Sequence, residues 1–383
     1  MKENIYIGVM SGTSVDAIDI VAVNIFENHY ELIDAYSFNF EEELRNEILR
    51  ESRDVLELKQ SDLRLLDQKI AYVYGSTINE FLSKSTINKN DISAVGLHGQ
   101  TIIHQPEADQ PYSLQLGDSQ IVSDITDLII IDDFRSADIR AGGQGAPLAP
   151  IFHSFLFGQK KRVRSVINIG GISNISFFRG SKALKGYDLG PGNILMDSWS
   201  IYNGIGKYDK DGDWGRSGVK CDELLKILGK QDKFLHKKPP KSTGSDHYNL
   251  EFILNAIAKC NISPKPEDVQ SALIEYTANL FRDLDWRNLL ETDGEINTQI
   301  AISGGGAKNK FLMERIEDLM EIPRGGLQTT EAWNVKSEWV EAIGFAYLAF
   351  LRLNEKSVNL SKITGSNGEI LLGKVSLPRV VYD

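Results

Sequence analysis

Residues 5–25, IYIGVMSGTSVDAIDIVAVNI, constrain the fold more than any other stretch of the chain. Two runs rich in Ile and Val flank Ser11, Gly12, Thr13 and Ser14, the pattern of a tight hairpin. In such a turn backbone amides converge, hydroxyls add neutral donors, and a glycine lets the chain approach an anion closely, so the turn suits a phosphate. Asp16, just beyond it, would repel a bare phosphate but fits a hydrated Mg2+ standing between the two. An ordinary hairpin with a polar turn is the competing reading of these residues alone.

The same pattern returns at residues 165–178, SVINIGGISNISFF, with apolar strands on either side of Gly170 and Gly171. Two strand, glycine turn, strand units this far apart imply an internal duplication, one unit per domain, whose hairpins could grip one polyphosphate from both sides. A third glycine cluster follows Gln299 in QIAISGGGAKNKFLMERIEDLM. It predicts a buried strand, then Gly304, Gly305 and Gly306, then a helix with Phe311, Leu312, Ile316 and Leu319 on its apolar side. Glycines between a strand and a helix N-terminus let a nucleotide lie against backbone and the positive end of the helix dipole. This cluster lacks the third glycine of G-x-G-x-x-G, and the chain has neither a P-loop G-x-x-x-x-G-K-[ST] nor a G-x-S-x-G elbow.

Composition narrows the function classes. At 383 residues the chain has room for two domains, each with its own core. A net charge of -11 argues against general nucleic-acid binding, which needs Lys and Arg to neutralise phosphates. The N-terminal MKENIYIGV shows no secretion signal, and no apolar run approaches the roughly 20 residues of a membrane span, so a cytoplasmic protein is expected. Cys221 and Cys260 have no Cys or His at metal-ligand spacing and are expected to be buried free thiols.

Residues 39–86 have helical character, with Leu56, Leu63, Leu66 and Ile70 spaced for one apolar face. In ISAVGLHGQTIIHQP, residues 92–106, a buried strand ends in His98, Gly99, Gln100 and Thr101, and ligands in open α/β sheets gather at such strand ends. DDFRSADIRAGGQGAPLAP, residues 132–150, is too rich in Gly, Pro and Ala for one regular element and predicts a loop over a cleft. Its Arg135 and Arg140 offer planar donors to a carboxylate or phosphate, with Arg–Asp pairing inside the loop as the alternative. DKDGD, residues 209–213, lacks the Glu of a calcium loop because Lys220 stands at that position, so a solvated turn is expected. PPKSTG, residues 239–244, predicts a stiff loop with Lys241 free to meet an anion, or a structural turn.

Two phosphate hairpins and a late strand, triple glycine and helix resemble the ATPase architecture of actin, hexokinase and the heat-shock chaperones. That resemblance implies an α/β fold of two actin-like (ribonuclease H-like) domains with a central nucleotide cleft, divided at 1–140 plus about 360–383 and at 141–359. A narrower resemblance spans nearly the whole chain. GVMSGTSVDAID, LHGQTIIHQP, DFRSADIRAGGQGAPLAP, NIGGISNIS, DLGPGN, PPKSTG, GGGAKN and EAIGFAYLA are similar, in order, to the motifs of anhydro-N-acetylmuramic acid kinases. Ala17 stands where the family usually has Gly, and Arg140 where it usually has a small residue.

The resemblance implies an ATP-dependent kinase of cell-wall recycling that opens the 1,6-anhydro ring of its sugar with water and phosphorylates O6. Asp188 matches the family's catalytic base. Gly12, Thr13, Ser14, Asp16, Asp19, Gly170, Gly171, Gly304, Gly305, Gly306 and Asn309 match its nucleotide motifs, and His98, Thr101, Arg135 and Gln144 are sugar-side candidates. Mg2+ would accompany ATP, with Asp16 and Glu341 as candidate ligands. A kinase for another anhydrosugar such as levoglucosan, or a nonenzymatic sugar and nucleotide sensor on the same scaffold, stays open at this point, as does a homodimer.

Overall fold

The computed structural model describes residues 4–53, 59–106, 108–160, 162–282, 284 and 299–379; Leu56 lies outside them. The chain divides into two compact units, Met1–Leu156 with Ser181–Ala183 and Trp339–Asp383, and Phe157–Gly180 with Leu184–Glu338.

In the first unit β1 (Ile5–Met10), β2 (Ala17–Ile25), β3 (Tyr30–Asn39), β4 (Ile92–Leu97) and β5 (Ile130–Asp132) make a sheet in the order β3-β2-β1-β4-β5. The strands β1, β2 and β3 meander antiparallel, whereas β1, β4 and β5 run parallel. The late strand Lys374–Ser376 adds antiparallel to the β5 edge. Because strand side chains alternate between faces, Ile5, Ile7 and Val9 of β1 meet Leu66, Ile70, Tyr74, Ile78 and Phe81 of the helix Gln60–Lys84, with Leu63 partly buried beside them. On the opposite face Gly8 of β1 pairs in register with Gly96 of β4. The helix Val340–Leu353 lies directly on this pair: a Cβ at Gly8 would stand 1.8 Å from the Ala342 carbonyl oxygen, and one at Gly96 2.1 Å from that of Phe345.

The second unit repeats the plan. Strands β6 (Val163–Ile169), β7 (Ile172–Arg179), β8 (Lys182–Pro191), β9 (Gln299–Ser303) and β10 (Gln328–Thr329) are ordered β8-β7-β6-β9-β10, with β6 antiparallel to β7 and parallel to β9. The buried helix Pro266–Arg282 supplies Val269, Leu273, Ile274 and Phe281 to its core, and the helix Lys310–Leu319 adds Leu312 and Ile316. One strand order built twice, with an antiparallel and a parallel neighbour on either side of the first strand in each unit, is the duplicated α/β plan of the actin-like fold. Residues 132–150 do not stay irregular throughout, since a short helix, Ser136–Arg140, and the start of another, Ala149–Phe157, interrupt them. Among the described residues no helix is long and apolar enough to cross a membrane, and both cysteines are free thiols.

Candidate active site

Parallel β1, β4 and β5 end on one side of their sheet, so the segments that leave them converge. The turn after β1 is held from beneath. Ser11 Oγ hydrogen-bonds Tyr74 OH and donates to Gln100 Oε1 at 2.9 Å, and Gln100 Nε2 donates to Gly12 O at 3.2 Å. Val15 N closes the turn onto Gly12 O, with Val15 at a positive φ of 54° that a β-branched residue adopts only under constraint. Thr13 and Ser14 are left exposed at the tip. Asp16 is also exposed, and Arg45, which the sequence reading missed, donates to both Asp16 Oδ1 and Ser14 O at 3.2 Å.

His98 follows β4 and is buried. Its Nδ1 donates to Ser11 O at 3.3 Å, since a carbonyl can only accept, which leaves Nε2 to accept from Arg135 Nη2 at 3.1 Å. Burial and then the Arg135 charge push His98 down to about 3, and the same two causes bring His104 to about 3, so both rings are neutral. Arg135 also donates to Gly145 O at 3.2 Å. The loop that carries it is pinned by Asp138, fully buried, which accepts from Gly145 N and from Thr364 Oγ1, each at 2.7 Å. Thr101 Oγ1 accepts from Gln115, whereas Arg140 is exposed. Gln144 is anchored through its backbone N to Thr364 O, and its Oε1 is buried with no hydrogen-bond partner among the described residues.

Glu341 lies in the first turn of the Val340–Leu353 helix and is half-buried. Burial pushes it up to about 7, Asp19 pushes the same way, and Arg135 opposes them. Asp19 itself accepts from Ser37 Oγ at 2.7 Å. The acid facing Glu341 electrostatically is thus Asp19, while Asp16 is engaged by Arg45. The folded chain keeps the Glu341 proton between pH 4.5 and 7, where the unfolded chain has released it, so this group's contribution is full below 4.5 and is lost as pH rises through 7. Glu341→Gln is therefore expected to gain about 3 kcal/mol over the parent between pH 4.5 and pH 8 in urea unfolding. A difference that does not change with pH would refute this.

In the second unit β6 and β9 also end together. Asn193 N and Gly192 N donate to Gly170 O and Gly171 O at 2.8 Å, which ties the loop after β8 to the Gly170–Gly171 turn. The glycines fall into two kinds. A Cβ at Gly304, where φ is +81°, would meet Asn168 Oδ1 at 2.4 Å, and one at Gly306 would meet Ile169 Cγ2 at 2.3 Å. At Gly170 the nearest atom would be 3.6 Å away, at Gly305 also 3.6 Å and at Gly12 3.8 Å. Gly304 and Gly306 are required by packing, while Gly12, Gly170 and Gly305 present open backbone. Asn309 caps the following helix, its Oδ1 accepting from Leu312 N at 3.0 Å.

Asp188 stands near the end of β8 and is almost fully buried. Its N donates to Lys241 O at 3.1 Å, and its Oδ2 accepts from Thr243 N at 2.9 Å. In DKDGD, Asp209 is buried rather than solvated, because it accepts from Trp214 N and Gly215 N at 2.9 Å. Among the described residues no group of three acidic, His or Cys side chains is arranged to hold a metal.

The family model described as anhydro-N-acetylmuramic acid kinase matches residues 4–378. The anhydro-N-acetylmuramic acid kinase of Aliivibrio fischeri is 38% identical over 373 residues, covering 97% of this chain and 98% of that protein. That of Sulfurimonas denitrificans is 37% identical over 377 residues, with 97% and 98% covered. That of Haemophilus influenzae is 38% identical over 389 residues, with 98% of each covered.

Proposed function

The chain belongs to the anhydro-N-acetylmuramic acid kinase family, and from that premise we propose that it converts 1,6-anhydro-N-acetylmuramic acid, ATP and water to N-acetylmuramic acid 6-phosphate and ADP in cytoplasmic peptidoglycan recycling. The sugar has no free 6-hydroxyl, so its ether must open as the phosphoryl group arrives. Asp188 takes a proton from water as the water oxygen bonds to C1 and the C1–O6 bond breaks; O6 receives the γ-phosphoryl group. The placement of Asp188 supports this role most directly, because a buried carboxylate at the end of β8 is fixed by a hydrogen bond from Thr243 N, while its own backbone N is tied to Lys241 O.

The remaining roles follow from local chemistry. Phosphoryl transfer depends on positioning and charge stabilisation, which the open backbone at Gly12, Gly170 and Gly305 and the hydroxyls of Thr13 and Ser14 are suited to supply, with Gly171 next to Gly170 in the same turn. Arg135 suits the lactyl carboxylate, with His98, Thr101 and the orphaned Gln144 Oε1 as further sugar contacts. Glu341 and Asp19 fit Mg2+, because their mutual repulsion in a half-buried setting would be relieved by a cation. When bound with ATP, Mg2+ neutralises phosphate charge, and its preference for retaining water suits a site with few carboxylates.

The test is turnover of the anhydrosugar in 18O-labelled water, with mass spectrometry of the product. One solvent oxygen at C1 and a phosphate on O6 are expected. Preferential phosphorylation of levoglucosan, or no phosphorylated product from either sugar, would overturn the assignment. The glycine classes give a second check. Gly306→Ala is expected to lose about 1–3 kcal/mol of stability through overpacking against Ile169. Gly305→Ala should unfold with the parent yet bind ATP more weakly; if its ATP affinity is unchanged, Gly305 is not part of the nucleotide site.

A further inference from the structure

The loop that carries Gln144 is tied down at three successive amides. Gly143 N donates to Asp138 O at 2.9 Å, Gln144 N to Thr364 O at 3.0 Å, and Gly145 N to Asp138 Oδ2 at 2.7 Å. The other carboxylate oxygen, Asp138 Oδ1, accepts from Thr364 Oγ1 at 2.7 Å. Thr364 therefore reaches the loop twice: its carbonyl holds residue 144 directly, and its hydroxyl holds residue 145 through Asp138. Asn367, three residues on, donates to Ala141 O from its backbone N at 2.9 Å and from Nδ2 at 3.3 Å.

The threonine is itself firmly seated. Ile363 N and Thr364 N both donate to Leu360 O at 2.9 Å, and Leu360, Ile363 and Thr364 are each 1% exposed. The stretch ITGSNG, residues 363–368, lies outside the motifs that carry the family resemblance.

We propose that Thr364 is a positioning residue for sugar binding, which fixes the backbone on both sides of Gln144 so that its side-chain oxygen is presented ready to accept. This rests on the reading of Gln144 as a sugar contact. A segment reading AGGQG has wide backbone freedom, and ordering it only when the ligand arrives would subtract from affinity. The bonds to Thr364 and Asp138 bear that ordering cost during folding instead. Gln144 Oε1 is buried with no hydrogen-bond partner among the described residues, and an amide oxygen can only accept. The group it takes is an O–H or N–H donor, a class that the hydroxyls and the acetamido N–H of the anhydrosugar supply.

The test is steady-state kinetics of the full chain with ATP, Mg2+ and the anhydrosugar, with KM measured for each substrate. Thr364→Val is expected to raise the sugar KM about tenfold, the order of one well-made hydrogen bond, with the KM for ATP near that of the parent. Thr364→Ser keeps the hydroxyl and should restore the sugar KM. A purely structural role would lower the folded fraction, and so the apparent kcat, without moving the sugar KM. If Thr364→Val does not fold, its combination with Asp138→Asn takes its place, because that pair strands no buried charge and keeps an oxygen for Gly145 N. Gln144→Leu completes a double-mutant cycle. It should raise the sugar KM by itself, and adding Thr364→Val should raise it little further. A sugar KM that Thr364→Val leaves unchanged, or raises just as much in the Gln144→Leu background, overturns the proposal. If Gln144→Leu alone keeps the parent's sugar KM, the reading of Gln144 as a sugar contact falls and takes the proposal with it. If Gln144→Leu raises it and Thr364→Val does not, only the role of Thr364 falls.

Discussion

Asp188→Asn is expected to lower kcat by about 10²–10⁴-fold, the usual contribution of a positioned general base, with thermal stability and ATP affinity close to those of the parent. The geometry makes the substitution a narrow one. The hydrogen bond from Asp188 N to Lys241 O does not involve the side chain, and an asparagine oxygen can still accept from Thr243 N where Oδ2 now does. What disappears is the negative charge and, on the proposed role, the lone pair that would take the proton. Steady-state ADP release with the anhydrosugar measures the effect, and a rate within a few-fold of the parent would remove Asp188 from the chemistry. A large loss confined to KM would instead assign it to sugar binding.

The hairpins were legible because they are local. At residues 5–25 and 165–178 the alternation of apolar strand and polar or glycine turn is complete within about twenty residues, and no distant contact is needed to predict it. The strand order then follows from the duplication. Features that depend on distant partners were not legible. Lys241 was expected to meet an anion or to belong to a structural turn, because nothing in PPKSTG announces the Phe234 carbonyl that its buried Nζ reaches, and Arg45 lies in a helix remote in sequence from the turn it braces. For Arg135 the sequence offered an anion or an Asp within the loop; its contact with His98, and the bond that ties the buried Asp138 to Thr364 more than two hundred residues onward, depend on partners remote in sequence. A paired histidine, a buried lysine and a capping asparagine all have the same one-letter appearance as free ones.

The glycine pair beneath the Val340–Leu353 helix is the clearest case of a long-range requirement. Gly8→Ala is expected to cost at least about 3 kcal/mol, toward the upper end for overpacking. The added carbon would lie 1.8 Å from the Ala342 carbonyl oxygen and 2.9 Å from Ala346 N, both backbone atoms of the helix, so no side-chain rotation relieves the clash. The helix itself would have to retreat. Gly96 beside it imposes the same limit through Phe345 O, so the helix cannot slide sideways along the strands. Its retreat would also carry off Glu341 in the first turn and Phe345, whose ring centroid lies 4.6 Å from that of His98. Gly8→Ala should therefore shift the urea midpoint downward and, in the fraction that remains folded, disturb Glu341 and His98 through the helix. Gly12→Ala provides the contrast, because its Cβ would meet only Ser14 Oγ at 3.8 Å; it should unfold near the parent. Equal midpoints for the two variants would mean that the helix is not seated on the glycine pair, and the packing that brings Glu341 to the strand ends would need another cause.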